Sequence, residues 1–192
     1  MNILTDSLPK KIRVNKNVYD INYDYKTAIN ILLAFEDTEL TRSEQLYIML
    51  KKLYRDEIQP EDLEKAILKG IKFLDGGVEN DSVPKREKRI YSFKKDGNYI
   101  FSGINQTHKI NLSEVPDLHW WVFLSFFMDM SSECMFGELV YYRKRKNENK
   151  LTKEEKERYA KIKKLVDLEE KDVEAIQARK SFFEEYRKFN GR

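Results

Sequence analysis

The sequence predicts an all-α fold carrying one small N-terminal β-hairpin, and three observations lead there. The first is the stretch 117–130, Asp-Leu-His-Trp-Trp-Val-Phe-Leu-Ser-Phe-Phe-Met-Asp-Met, which holds both tryptophans of the chain side by side. It is apolar at nearly every position, so a helix formed there has no polar face and belongs inside a bundle. Only Val122 in it is β-branched, whereas Leu and Met favour helix. The second is a pair of capping boxes, Thr41-Arg42-Ser43-Glu44 and Thr152-Lys153-Glu154-Glu155. In each, the threonine covers an early N–H and the glutamate reaches back to the cap. The third is composition: 36% of the 192 residues are charged, against about 25% in ordinary domains, with only 7 glycines and 4 prolines. Such a balance fits long solvated helix faces.

The elements follow in order. Residues 8–23 read as the hairpin. Lys11-Ile12-Arg13-Val14 alternates polar and apolar, Asn15-Lys16-Asn17 is turn chemistry, and Val18–Tyr23 alternates again. Two strands alone are marginal, so the hairpin must lean on helices. Asp24 is placed to cap a first helix with Tyr25, Ala28, Ile29, Leu32 and Leu33 at helical spacing. Thr41 opens a second, with Leu46, Tyr47, Met49, Leu50, Leu53 and Tyr54. Pro60 starts a third, with Leu63, Ala66, Ile67, Ile71 and Leu74, and Gly76-Gly77 stops it. From Val78 to Arg89 the apolar stripe disappears and a surface loop is expected. Phe93, Ile100, Phe101 and Ile104 then mark one face of a fourth helix, and His108–Leu112 a turn into the Trp-rich helix, expected over 116–130 with Pro116 in its first turn. Met135, Phe136, Leu139, Val140 and Tyr142 mark the next helix, which runs into the basic segment Arg143–Lys150. The helix after Thr152 is highly charged, with a thin stripe of Tyr159, Ile162 and Val166. Residues 1–168 are thus expected to form the helical domain and 169–192 a charged C-terminal helical extension with Val173, Ile176, Phe183 and Tyr186 along it.

Several function classes lose support from the same residues. A single cysteine, Cys134, forbids an intramolecular disulfide and fits a reducing compartment. The N-terminus lacks a basic segment followed by an apolar one, and no run reaches the ~20 apolar residues of a membrane span. A soluble intracellular protein is expected. No P-loop, nucleophile elbow or zincin helix occurs. The two histidines, His108 and His119, fall in different predicted elements, and no Cys/His cluster has zinc-like spacing. His119 therefore reads as a structural histidine, and Asp96, Asp117 and Asp129 as caps or solvated groups. No catalytic residue, metal or cofactor is expected.

Binding residues are the remaining candidates. Trp120 and Trp121 point about 100° apart on a helix, so core packing is their first reading and a partner surface for one of them, or for Phe127, the second. Phe182, Phe183 and Tyr186 lie on a narrow stripe that suits another helix, the chain's own or a partner's. Arg143, Lys144, Arg145 and Lys146 are the candidates for phosphate contact. Against that reading stand the small net charge of +3, the acidic residues of the following helix, and the lack of any helix-turn-helix signature.

The order of features is similar to a bacteriophage family known by its gene product number fifteen, from tailed phages and prophages of Gram-positive bacteria. The resemblance covers roughly residues 8–166. It is carried by Ile21-Asn22-Tyr23-Asp24-Tyr25, Asp96-Gly97-Asn98-Tyr99-Ile100-Phe101, Ile110-Asn111-Leu112, Leu118-His119-Trp120-Trp121-Val122-Phe123 and, more weakly, Tyr142-Arg143. Phe126-Phe127-Met128 is more apolar than the family pattern, and residues after Glu169 lie outside the resemblance. The resemblance implies a non-enzymatic tail-assembly chaperone that binds the tape-measure protein, with the major tail protein as a further client, in the host cytoplasm rather than in the mature virion. The alternative expectation is a nucleic-acid-binding accessory protein using segment 143–164. Self-association through the stripe after Glu169 is a further expectation.

Overall fold

The computed structural model describes residues 3–78 and 88–168. The architecture is mainly α, as predicted: seven α-helices and one two-stranded antiparallel hairpin among the described residues. The chain divides into two compact units. Among the described residues, the first takes 3–35, 39–78 and 115–128, and the second takes 36–38, 88–114 and 129–168. Most of the expected loop 78–89, and the whole extension with Phe182, Phe183 and Tyr186, lie outside the described residues.

The first unit begins with the hairpin, β1 (Lys11–Val14) and β2 (Asn17–Asp20), in the register Lys11↔Asp20 to Val14↔Asn17. Its turn is the two residues Asn15 and Lys16, with Asn15 at φ 51°, a conformation asparagine tolerates. The strands bury Ile12, Val14 and Tyr19. The hairpin leans on a buried carboxylate, Asp62, which accepts bonds from Asn15 Nδ2 (2.6 Å), Asn17 Nδ2 (2.8 Å) and Tyr19 Oη (2.7 Å). These three bonds hold the Asp62 carboxyl below the usual carboxylate range.

Helices α1 (Tyr25–Glu36), α2 (Arg42–Leu53) and α3 (Leu63–Leu74) follow. Asp24 caps α1 through Thr27 N (2.9 Å), and the Thr41/Glu44 capping box forms as expected. A single 3-10 turn, Pro60–Asp62, leads into α3. The buried stripes are rotated from the predicted ones. In α3 Ala66, Gly70, Phe73 and Leu74 face inward, while Leu63 is exposed; in α2 Tyr47 is exposed. Gly70 belongs to this inward face. A Cβ there would sit 3.1 Å from Leu53 Cδ2, so its absence lets α3 approach α2 on the Ala66–Gly70 side.

The Trp-rich helix differs from expectation in two respects. It is α5, Trp120–Met128, rather than 116–130. Residues 117–119 are extended or turned because their backbone is used elsewhere: Leu118 O accepts from Tyr25 N (3.0 Å), and Asp117 sits at φ 51°. It is also not buried all round. Only Trp120 and Phe123 are fully buried, Trp121, Val122, Leu124, Phe126 and Phe127 are half-buried, and Met128 is 83% exposed.

The second unit holds α4 (Phe93–His108), α6 (Met135–Asn147) and α7 (Lys153–Val166). Ser92 caps α4 through Lys95 N. Glu36 adds a second cap from outside the helix, its carboxylate accepting from Phe93 N (3.0 Å), Lys94 N (3.2 Å), Ser92 Oγ (2.8 Å) and Arg89 Nη2. Phe101, predicted on the buried face of α4, is exposed; Asp96 holds that place instead. Cys134, buried, caps α6 by accepting from Gly137 N. Leu139, Tyr142 and Val166 form a small core with Tyr99, Met135, Leu151, Tyr159 and Ile162 packed around it. The Thr152/Glu155 capping box starts α7 as predicted.

Candidate functional site

The motif Leu118-His119-Trp120-Trp121 ties together four pieces of the first unit. Both indoles donate to the C-terminal end of α3: Trp120 Nε1 to Leu74 O (2.9 Å) and Trp121 Nε1 to Phe73 O (2.8 Å). Helix ends leave carbonyls without intrahelical partners, and adjacent tryptophans supply two donors for them. The same end closes on Gly76 and Gly77, whose N–H groups donate to Phe73 O (3.1 Å) and Lys72 O (2.8 Å). Gly77 stands at φ 81°, and a Cβ there would lie 2.6 Å from Trp121 Cη2. The glycine is required both for the left-handed turn and for the indole above it.

His119 caps α5. Its Nδ1 accepts from Trp121 N (3.0 Å), so the proton is on Nε2, which donates to Pro9 O (3.0 Å). The ring stacks on Tyr23 at 5.3 Å and meets Phe73 edge-on. Burial pushes its pKa down, the Pro9 carbonyl opposes this, and Lys10 adds to the lowering. Trp120 N donates to Tyr23 O (2.7 Å). His119 is thus the structural histidine the sequence predicts: both ring nitrogens are used, and the neutral form fits the site.

These contacts sort the candidate tryptophans. Trp120 is 1% exposed and stacks on Phe123 at 5.5 Å, which removes it from any partner surface as the structure stands. Trp121 is half-buried, and Phe127, also half-buried, stacks on Phe123 at 6.4 Å. Trp121, Leu124 and Met128 follow one another at i, i+3 and i+7, one side of α5. Val78, next to Gly77, is 59% exposed. Trp121 and Leu124 lie against the Gly76-Gly77 turn, and beyond them α5 ends on the apolar, solvent-open Met128.

The basic segment does not form an open cluster. Arg143, one of the four phosphate candidates, is buried. Its guanidinium grips Asp96 with two bonds, Nη1–Oδ2 (2.5 Å) and Nη2–Oδ1 (2.9 Å). Its other donors reach Val166 O (2.5 Å), Leu165 O (3.0 Å) and Ile90 O (3.2 Å). All five N–H groups are satisfied. Two of those carbonyls end α7, where a cation is favourable. Asp96 also accepts from Ser92 N (2.9 Å), so it is an ion-pair partner and a cap rather than a solvated group. Arg145 pairs with Glu155 (2.9 Å) and Lys146 with Asp167 (2.6 Å). Of the four, Lys144 alone is exposed with no ion pair among the described residues.

The sequence reading missed Arg143–Asp96, yet a signal was present. Arg143 lies seven residues after Phe136 and four after Leu139, and Asp96 three after Phe93 and four before Ile100. Both are in phase with buried stripes, and they carry opposite charges. Glu36 left no comparable signal, because the helix it caps starts more than fifty residues later. Among the described residues, no cluster of three or more His, Cys, Asp or Glu is placed to hold a metal ion, and no helix is long and apolar enough to cross a membrane.

What fold and contacts define is a mainly α-helical protein whose sequence landmarks are used in its own framework. The model of the family described as Bacteriophage Gp15 protein matches residues 4–168, and the chain belongs to this family. It is a bacteriophage protein. Neither a curated protein nor a solved structure matches the chain.

Proposed function

We propose that the protein is a tail-assembly chaperone that binds the tape-measure protein during tail morphogenesis in the host cytoplasm, without catalysis. The observation that carries this reading is the apolar surface that α5 leaves uncovered: a nine-residue helix with one polar residue, of which two side chains are fully buried and Met128 at its end is open to solvent. An apolar helix side left partly open is a docking surface for an amphipathic helix of a client. Covering a side chain such as Met128 yields about 1.5–3 kcal/mol, so each contact is weak and reversible. Many copies along one long helical client then act by avidity. Tail-tube subunits are a second client on the same reading.

The nucleic-acid alternative has less support, because Arg143, Arg145 and Lys146 are held in intramolecular ion pairs. The test is co-expression with the tape-measure protein of the same genome, followed by pull-down at low and high salt. Co-purification that survives high salt and is lost in Met128→Glu is the expected result. Failure to bind, with a salt-sensitive shift of DNA or RNA by the same protein, overturns the reading.

A further inference from the structure

The two edges of the hairpin are treated differently. In the observed register, Val14↔Asn17 and Ile12↔Tyr19 exchange hydrogen bonds across the hairpin, and the bond from Ile21 N to Lys10 O (3.1 Å) continues the alternation. The N–H and C=O of Lys11 and Arg13 therefore point away from β2, and those of Val18 and Asp20 point away from β1. On the β2 side, Asp20 O accepts from Arg55 N (3.0 Å) and Asp20 N donates to Asp56 Oδ2 (2.8 Å), which closes that edge at Asp20 and leaves it only the backbone of Val18. On the β1 side, no group among the described residues bonds to the outward backbone of Lys11 or Arg13. Both residues are exposed. β1 thus presents two donors and two acceptors at strand spacing, the template to which a further strand adds.

The side chains choose the occupant. Lys11 and Arg13 line the solvent face of this edge, with Lys10 before them and Lys16 in the turn. Lys11 shares its charge with Asp20 at 3.1 Å, whereas Arg13 makes no ion pair among the described residues. A second copy of β1 would set cation against cation, which is how edge strands repel their own kind. Opposite charges at cross-strand positions are favourable instead. Ile12, between the two cations, and Val14, after them, require apolar residues at the alternate positions of an incoming strand.

We propose that the outer edge of β1 accepts an extended segment of a partner chain in which acidic and apolar residues alternate, adding a third strand to the hairpin. This inference does not rest on the chaperone reading, since it uses a different element and a different kind of ligand.

The probe is a capped five-residue peptide, Glu-Val-Glu-Val-Glu, titrated into the isotope-labelled full chain and followed by amide resonances, with the Lys-Val-Lys-Val-Lys peptide as control. Saturable shifts at Lys11 and Arg13, with amide exchange at both slowed about tenfold or more at saturation, are expected from the acidic peptide alone. Arg13→Pro removes one outward donor and should weaken binding about tenfold or more. If that variant fails to fold, the double variant Lys11→Glu with Arg13→Glu should exchange the preference for the basic peptide. Three results overturn the inference. They are no saturable shift up to millimolar peptide, equal response to both peptides, or a dimeric free protein that Arg13→Pro makes monomeric, which would assign the edge to a second copy.

Discussion

Arg143→Met is the substitution whose outcome the structure determines most sharply. The guanidinium is buried, and its five donors serve one carboxylate and three main-chain carbonyls. Methionine keeps much of the volume and removes every donor. Asp96, 0% exposed, is then left with Ser92 N as its remaining partner named above, and the carbonyls of Leu165 and Val166 lose theirs. Breaking a buried ion pair from one side costs about 3–5 kcal/mol, because the other charge stays buried and uncompensated. At about 2–4 °C per kcal/mol for a chain of this length, the melting temperature should fall by about 6–20 °C. Calorimetry and urea unfolding followed by helicity measure it. Two comparisons make the number meaningful. Lys144→Met, next door in the same basic run, should stay within about 0.5 kcal/mol of the parent. Adding Asp96→Leu to Arg143→Met should recover part of the loss, since it removes the uncompensated buried charge, while the carbonyls of Leu165 and Val166 and the N–H of Ser92 stay without these partners. A loss below about 1 kcal/mol for Arg143→Met, or no recovery in the double variant, would refute the argument that the pair is buried and mutually compensated.

Gly77→Ala combines a left-handed residue with a Cβ placed 2.6 Å from the Trp121 ring; a loss of at least about 1–2 kcal/mol in urea unfolding is expected, with a changed Trp fluorescence in the folded state. Glu36→Gln removes the charge that caps α4 from outside and faces Arg89; a loss of about 1–2 kcal/mol is expected, measured the same way. His119 is neutral and its pKa is pushed down by burial. The unfolded chain therefore binds a proton before the folded one does. Stability from this group is complete above about pH 6.5, and is lost as the pH falls from there toward the lowered folded value. His119→Asn keeps an acceptor for Trp121 N and should flatten the pH dependence of stability in that window, while Asp62, Glu155 and Asp167, whose pKa values are lowered, still destabilise the fold at more acid pH.

The local signals were legible where the physics is local. Both capping boxes, the Asp24 cap and the Gly76-Gly77 stop stand where residue type and spacing put them, and the hairpin turn falls within the predicted Asn15-Lys16-Asn17, with Asn17 already in β2. What escaped was set by distant partners. The Trp-rich helix begins at Trp120 instead of Pro116 because Leu118 and Trp120 lend backbone groups to Tyr25 and Tyr23. The inward face of α3 includes Gly70, close to Leu53, a residue that leaves no mark on an apolar stripe. The basic run looked uniform in sequence, yet one member is interior and two more are paired, which helical phase distinguishes and composition does not. Of the candidate binding residues, Trp120 is interior, Trp121 and Phe127 are half-buried, and the three aromatic candidates after Glu169 lie outside the described residues.

The segments that carry the resemblance to the family take part in the framework of the units they belong to. Ile21–Tyr25 supplies the carbonyl for Trp120 and the N–H for Leu118 O. Leu118–Trp121 caps two helices. Asp96, in the segment Asp96–Phe101, pairs with Arg143 of Tyr142-Arg143. Leu112 of Ile110–Leu112 is buried and donates its N–H to Asn105 Oδ1 (2.9 Å). A framework built from such contacts constrains its own residues tightly and says little about a partner. On the proposed reading, client choice then resides where this chain departs from the family pattern, at Phe126-Phe127-Met128. There α5 leaves the indole cap behind and ends on a methionine 83% exposed. A chaperone serving one long client gains from this separation: the half of α5 that caps α3 can stay fixed while the half that meets the client varies. It follows that substitutions at Met128 should change client binding with little effect on unfolding, and substitutions at Trp120 should do the reverse.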